Sequence, residues 1–270
     1  MTQKRAVLCP RCRQLVGSEE SVCSSCGTSR SAPWWQFINW SKGMMDGDWL
    51  VKTLISANVL FFALSLILSA RTGDIGSLLS PGQTSLMLLG ATGTYPIGHF
   101  GRFWTVVSAN YLHGGIIHLI FNLMALKQIA PWVSNEYGTS RMFIIYTLGG
   151  LIGYVISYLA GVPFTIGASA AVCSLIGALL FYGKSRGGAY GNSVYRDVSG
   201  WVISLFVFGL IFPGINNWGH GGGIIGGIVI GALMGYNERR RENNVDHTLA
   251  LMCGLATVAI MGLAVVRAFI

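Results

Sequence analysis

The chain has 270 residues, of which 52% are hydrophobic and only 10% charged. An ordinary soluble domain carries about 25% charged residues, so the composition excludes a soluble enzyme and points to a bilayer. The net charge of +8 is read as a topology signal and as contact with anionic membrane lipid. No basic run is interleaved with aromatics, which argues against a nucleic-acid partner.

Residues 1–30 carry Cys9-Pro-Arg-Cys12 and Cys23-Ser-Ser-Cys26-Gly27. Two CxxC pairs ten residues apart can place four thiolates around one tetrahedral Zn²⁺. The other readings are disulfides or a redox CxxC; a cytoplasmic location weakens the first. Four sulfur ligands leave no open coordination position, so the metal would be structural, supplying folding energy to a segment too short to own a core. The expectation is a small zinc-knuckle head with Cys9, Cys12, Cys23 and Cys26 as ligands. Its protein partner is not named by the sequence. Residues 31–49, with Trp34, Trp35, Trp40 and Trp49, read as an interfacial approach to the membrane. The basic start leads into cysteines and not into an apolar segment, so no cleavable signal peptide is expected.

Runs without Lys, Arg, Asp or Glu locate the spans: Thr53–Ala70, Phe103–Leu126, Met142–Gly183, Val198–Asn237 and Thr248–Val266. One helix crosses hydrocarbon in about 20 residues, so the two longest runs are double crossings. Gly161-Val162-Pro163 breaks the first, and Pro213-Gly214 with Asn216-Asn217 breaks the second. Seven helices are predicted, over 50–70, 112–130, 142–160, 168–183, 199–212, 219–236 and 248–268, the fifth being short and able to begin a few residues earlier. An N-terminus inside puts 15 of the 18 basic residues on the cytoplasmic side, leaving only Arg71, Arg102 and Arg267 outside. The C-terminus then lies outside, and a bacterial cytoplasmic membrane is the expected location.

Polar groups in hydrocarbon are costly and mark function. Helices two, four and six all start at the outer face, and the unusual residues gather there. Helix two carries His113, His118 and Asn122, helix four opens with Gly167-Ala168-Ser169, and helix six opens with Gly219-His220. Glycines at 219, 223, 227, 231 and 235 clear one face of helix six, and Ser169, Cys173 and Gly177 line one face of helix four. Such small-residue stripes let helices pack closely, which would make Ser169 and His220 neighbours. A serine with an imidazole in reach is the minimum for nucleophilic acyl transfer. His118 and Asn122 share a face and could donate to an oxyanion with the Ser169 N–H. His113 lies about 140° from His118 on an ideal helix and belongs to the helix start or the loop before it. Taken singly, each has a plainer role: serine bonding back to a carbonyl, His220 in packing or a proton path, His118 and Asn122 tying helices together. The residues alone leave a hydrolase and a transporter open, although a transporter more often shows repeats or intramembrane acids, and these spans hold no Asp or Glu.

At these positions the sequence resembles the rhomboid family of intramembrane serine proteases. The matching pieces are Gly101-Arg102-Phe103-Trp104, His113-Gly114-Gly115-Ile116-Ile117-His118 with Asn122, Gly167-Ala168-Ser169, and Gly219-His220-Gly221-Gly222-Gly223 with Gly227. The resemblance implies an all-α polytopic membrane fold: a six-helix core over 50–236, plus a seventh helix within 237–270. It implies a Ser–His dyad, Ser169 as nucleophile and His220 as general base, with His118, Asn122 and the Ser169 N–H stabilising the oxyanion. Gly167, His113 and Cys173 would support the site. Residues 71–103 would form an outer loop dipping into the membrane, anchored by Arg102, and the fifth helix would be the mobile one beside which substrate enters. Substrates would be transmembrane segments of single-pass or polytopic proteins, cut without any catalytic cofactor. Ala170 replaces the family's glycine after the nucleophile, Cys173 replaces the aromatic that packs on the histidine, and Ser134 stands where a glutamate precedes Gly138, with Glu136 nearby. Gly219 replaces the alanine before the histidine. An inactive relative that binds transmembrane helices and controls their fate is the alternative.

Overall fold

A computed structural model describes residues 6–8, 15–17, 20, 22–23, 29, 47–73, 75–77, 79–212 and 214–270. The chain divides into two compact units, Met1–Leu50 and Val51–Ile270. In the first, β1 (Ala6–Leu8) pairs antiparallel with β2 (Leu15–Gly17), and Val22 bridges to Ser29. Cys23 is buried, whereas Cys9, Cys12 and Cys26 lie outside the described residues, as do residues 31–46.

Seven long helices follow among the described residues: α1 (Gly47–Thr72), α2 (Ile116–Tyr137), α3 (Thr139–Leu159), α4 (Ser169–Arg186), α5 (Gly188–Ile211), α6 (Asn217–Met234) and α7 (Asn244–Phe269). Five of these, α1, α2, α3, α5 and α7, are long and apolar enough to cross a membrane. The remaining two, α4 and α6, are 18 residues each; they pack chiefly on one another and on α3. The chain is thus an all-α multi-pass membrane protein. Outward-facing side chains such as Ile203, Leu210, Leu233 and Val258 are exposed and apolar, as a surface solvated by lipid requires. Polar side chains of α1 turn back on their own helix. Asn58 Nδ2 donates to the Leu54 carbonyl at 2.8 Å, and Ser65 Oγ to the Phe62 carbonyl at 2.7 Å. Both side chains are buried, and the backbone carbonyl one turn earlier satisfies the donor of each.

The helix limits correct the sequence expectation at two places. α5 begins at Gly188, not near 199, because Arg196 and Asp197 interrupt the uncharged run although both side chains are exposed, at 81% and 53%. Charges at a wet helix end cost little, so they do not stop a helix. α2 starts at Ile116 and continues past Lys127 to Tyr137 for the same reason, leaving Leu112–Gly115 as its approach. Between α1 and α2, residues 73–115 form a compact loop: the short pair β3 (Ile75–Ser77) and β4 (Ser80–Pro81), then helical turns at Gln83–Leu88, Thr94–Phe100, Thr105–Ser108 and Ala109–Tyr111.

Where α2 and α6 end and α3 and α7 begin, one buried arginine gathers four chain segments. Arg141 is fully buried and meets Asp246 through Nε (3.1 Å) and Nη2 (2.8 Å). Its remaining donors reach the carbonyls of Gly235 (3.1 Å), Arg240 (2.7 Å) and Arg241 (2.8 Å). Asp246 also closes a capping box with Asn243 at the start of α7. Gly138, at φ +96°, turns the chain between α2 and α3, and the Glu242 carboxylate lies where a side chain there would have to be. Glu242 Oε1 accepts from the Arg141 N–H at 2.9 Å. The carboxylate beside Gly138 therefore comes from the α6–α7 loop and not from Glu136, which instead accepts from the Tyr190 hydroxyl.

Removing one partner of a buried, fully hydrogen-bonded ion pair strands the other charge. Arg141→Ala is expected to destabilise the folded protein by about 3–5 kcal/mol, read as a lower unfolding midpoint in detergent micelles.

Candidate active site

Ser169 is the first residue of α4 and His220 lies in the first turn of α6. Ser169 Oγ and His220 Nε2 are 2.9 Å apart. His220 is buried, and its Nδ1 meets no hydrogen-bond partner among the described residues. Among the described residues, therefore, no carboxylate stands behind the imidazole of this serine–histidine pair.

Glycine makes this distance possible. A Cβ at Gly223 would overlap the Ala170 carbonyl, at Gly177 that of Ile224, and at Gly227 that of Ser174. The backbones of α4 and α6 thus touch directly over three turns. α3 joins them by the same device: a Cβ at Gly153 would lie 2.7 Å from the Gly219 carbonyl oxygen, and one at Gly222 would lie 3.0 Å from Gly153 Cα. Cys173, one turn after Ser169, faces Gly223 and is buried. A thiol fits where a ring would hold α6 away.

The segment before Ser169 is fixed on three sides. Thr165 and Thr92 exchange backbone hydrogen bonds at 2.7 and 3.1 Å, the Gly167 N–H donates to the Ala109 carbonyl at 2.9 Å, and the Tyr154 hydroxyl donates to the Gly167 carbonyl. Asn216, the N-cap of α6, accepts from the Gly219 N–H at 2.9 Å. Its amide donates to Ser157 Oγ (2.7 Å) and Thr165 Oγ1 (2.9 Å). One amide thus links α3, the approach to α4 and the first turn of α6.

His118 and Ser169 border the same small space. A Cβ built at Gly167 would lie 2.8 Å from His118 Nε2 and 3.7 Å from Ser169 Oγ. With φ at +126°, position 167 suits glycine alone. Asn122 is buried and donates to the His118 carbonyl at 2.9 Å. His113 precedes α2, is fully buried, and sets its ring 5.0 Å from that of His118 at 65°. Arg102 donates to the Met87 carbonyl at 3.1 Å, joining two turns of the outer loop. Sequence reasoning missed Asn216, Tyr154 and the Thr92–Thr165 bridge. For Asn216 the signal was available, since Asn is a preferred N-cap and lies four residues before His220; the bridge is long-range and left no local trace.

A second serine–histidine contact, Ser140 Oγ to His247 Nδ1 at 2.8 Å, is exposed and ties the first turn of α3 to that of α7. These helix starts lie opposite the α4 and α6 starts, beside the Arg141 cluster.

The Rhomboid domain family model matches residues 100–237. RHOMBOID-like protein 4 of Arabidopsis thaliana is 28% identical over 70% of this chain and 52% of its own length. Rhomboid protease GluP of Bacillus subtilis is 33% identical over 50% of this chain and 27% of its own. Rhomboid-like protease 3 of Toxoplasma gondii is 26% identical over 76% of this chain and 73% of its own. The chain thus spans about half or less of the first two.

Asn216→Ala removes the cap and leaves two buried hydroxyls without their donor. It should cost about 1–2 kcal/mol, measured by unfolding in micelles, and Asn216→Asp should recover the capping part of that loss.

Proposed function

Because the chain belongs to the rhomboid family, we propose that it is an intramembrane serine endopeptidase that cuts transmembrane segments of other membrane proteins near the outer face. The observation carrying this reading is the 2.9 Å contact between Ser169 Oγ and His220 Nε2 at the outer ends of two helices packed backbone to backbone.

His220 Nε2 accepts the Ser169 proton as Oγ attacks the scissile carbonyl carbon. The carbonyl electrons move to oxygen. The developing oxyanion takes hydrogen bonds from the Ser169 N–H, which has no intrahelical acceptor at a helix start, and from His118 and Asn122. The intermediate collapses, His220 hands its proton to the leaving amine, and an acyl-enzyme on Ser169 remains. Water, deprotonated by His220, then releases the acid and restores the hydroxyl. No metal or cofactor takes part in these steps. Gly167 leaves room between His118 and Ser169, His113 backs the His118 ring, and Arg102 holds the outer loop. A substrate helix is taken up beside α5, whose apolar residues Ile203, Leu210 and Ile211 are exposed and whose Trp201 meets Trp132 of α2. It must unwind to present its scissile carbonyl, which favours sequences with helix-weakening residues. The N-terminus is cytoplasmic and the C-terminus outside, in keeping with the placement of the basic residues.

The head, residues 1–30, is a structural zinc site ligated by Cys9, Cys12, Cys23 and Cys26. Its support is a matched register. Leu8 pairs with Leu15, and Val22 with Ser29. Each pairing encloses six residues whose first and fourth are cysteines, so both CxxC pairs stand at the same place relative to their pairing. The head offers a surface for a protein partner on the cytoplasmic side.

Two outcomes test this. In liposomes, the wild type should cleave a transmembrane reporter and label at Ser169 with a fluorophosphonate. Ser169→Ala and His220→Ala should each lose cleavage by at least about 10³-fold with unchanged unfolding midpoints; a wild type that neither cleaves nor labels points to the inactive helix-binding relative. Purified protein should carry one zinc per chain by elemental analysis, reduced by Cys9→Ser with Cys26→Ser, while cleavage by Val51–Ile270 resists chelation.

A further inference from the structure

The seventh helix is outside the matched residues 100–237, yet it is tied to the core at both ends. At its start Asp246 holds Arg141. At its far end the Arg267 guanidinium stands 6.0 Å from the centre of the Trp104 ring, and Arg71 of α1 stands 5.5 Å from that of Phe269. Between them its buried residues Thr257, Met261 and Ala264 recur at helical spacing, and the helix packs on α3 and on the loop turns Gln83–Leu88 and Thr105–Ser108.

Trp104 opens the Thr105–Ser108 turn. Its indole N–H is buried and meets no acceptor among the described residues, so contact and not hydrogen bonding holds the ring. A Cβ at Gly90 would lie 2.5 Å from Trp104 Cζ3, so the ring rests against the backbone there. Ser108 Oγ donates to the Gly90 carbonyl at 2.8 Å, and Thr105 Oγ1 donates to Thr92 Oγ1 at 3.0 Å. Thr92 is the residue whose backbone pairs with Thr165, four residues before Ser169. Thr165 Oγ1 accepts from Asn216, whose carbonyl accepts from the His220 N–H at 3.0 Å. An unbroken series of contacts therefore runs from the end of α7 to both members of the dyad.

We propose that Arg267 is a positioning residue: through Trp104 and the Thr92–Thr165 bridge, it sets the chain segment from which Ser169 projects and the first turn of α6. The claim rests on the protease reading for its kinetic consequence, but not for its structural one. Arg267 is exposed, where a guanidinium over an indole attracts more weakly than in a desolvated site, so the effect expected of its loss is modest. The seventh helix, on this account, belongs to the active machinery by geometry although none of its residues touches substrate.

The test uses the full chain in liposomes with wild type, Arg267→Gln and Arg267→Lys, and Trp104→Ala alone and combined with Arg267→Gln. Amide hydrogen exchange reads the structural arm. Arg267→Gln should speed exchange across 162–168, where Thr165 N–H is bonded to Thr92, and Arg267→Lys should keep the protection. Cleavage reads the other arm: kcat should fall about twofold to fivefold in Arg267→Gln, with KM unchanged and fluorophosphonate labelling slowed in step. The double variant should be no slower than Trp104→Ala alone. Unchanged exchange at 162–168 overturns the proposal whether or not the protein cleaves. Raised KM at constant kcat also overturns it, assigning Arg267 to substrate docking. Changed exchange in a protein whose wild type neither cleaves nor labels upholds the positioning role and rejects the protease reading.

Discussion

The contact on which the rest of this molecule depends is the backbone-to-backbone meeting of α4 and α6. Lipid supplies no hydrophobic drive to press two helices together, so the attraction must come from many close van der Waals contacts, each small. Glycines at 177, 223 and 227 permit them, since a methyl at any of the three would overlap a facing carbonyl. A hydrogen bond contributes only about 1 kcal/mol net, so the Ser169–His220 bond does not hold the helices; the helices hold the bond. That order of causes explains why an unpartnered Nδ1 is tolerated on His220. The imidazole is oriented by the helix on which it stands, which α3 and the Asn216 cap fix in turn.

At the opposite membrane side the constraint is electrostatic. Arg141 is the one fully buried guanidinium among the described residues, and it is tolerable because carboxylate and carbonyl oxygens surround it. Asp246 serves the arginine, the capping box and Arg240 together. The protein thus closes one end with apolar backbone contact and the other with a hydrogen-bonded charge cluster. α7, whose first turn carries Asp246, is the element common to the cluster and to the outer loop.

Much of this was legible in the sequence, for reasons that also explain what was not. All seven helices could be found because hydrocarbon excludes charge; the charged ends of α2 and α5 were misjudged because water does not, and Arg196 and Asp197 hid the first eleven residues of α5. The spacing of glycine along α6 pointed to Ser169 and His220 as neighbours because helical periodicity converts sequence into a face. No such rule joins Thr92 to Thr165, or Glu242 to Gly138. Proximity along the chain left Glu136 open for the latter, and the fold places a carboxylate from a distant loop there. The four cysteines speak through spacing alone, and three of them lie outside the described residues.

The two helices that bear Ser169 and His220 are also the shortest of the seven, at 18 residues each, and are not among the five long and apolar enough to cross a membrane. Their polar and glycine-rich faces, which the assembled protein encloses, would meet lipid directly in a chain still emerging from synthesis. Those faces are covered only when α4 and α6 lie against one another and α3, so their settled place in the bilayer is reached together with those neighbours. Ser169 and His220 thus meet in surroundings that the neighbouring helices supply, and their contact presupposes that packing.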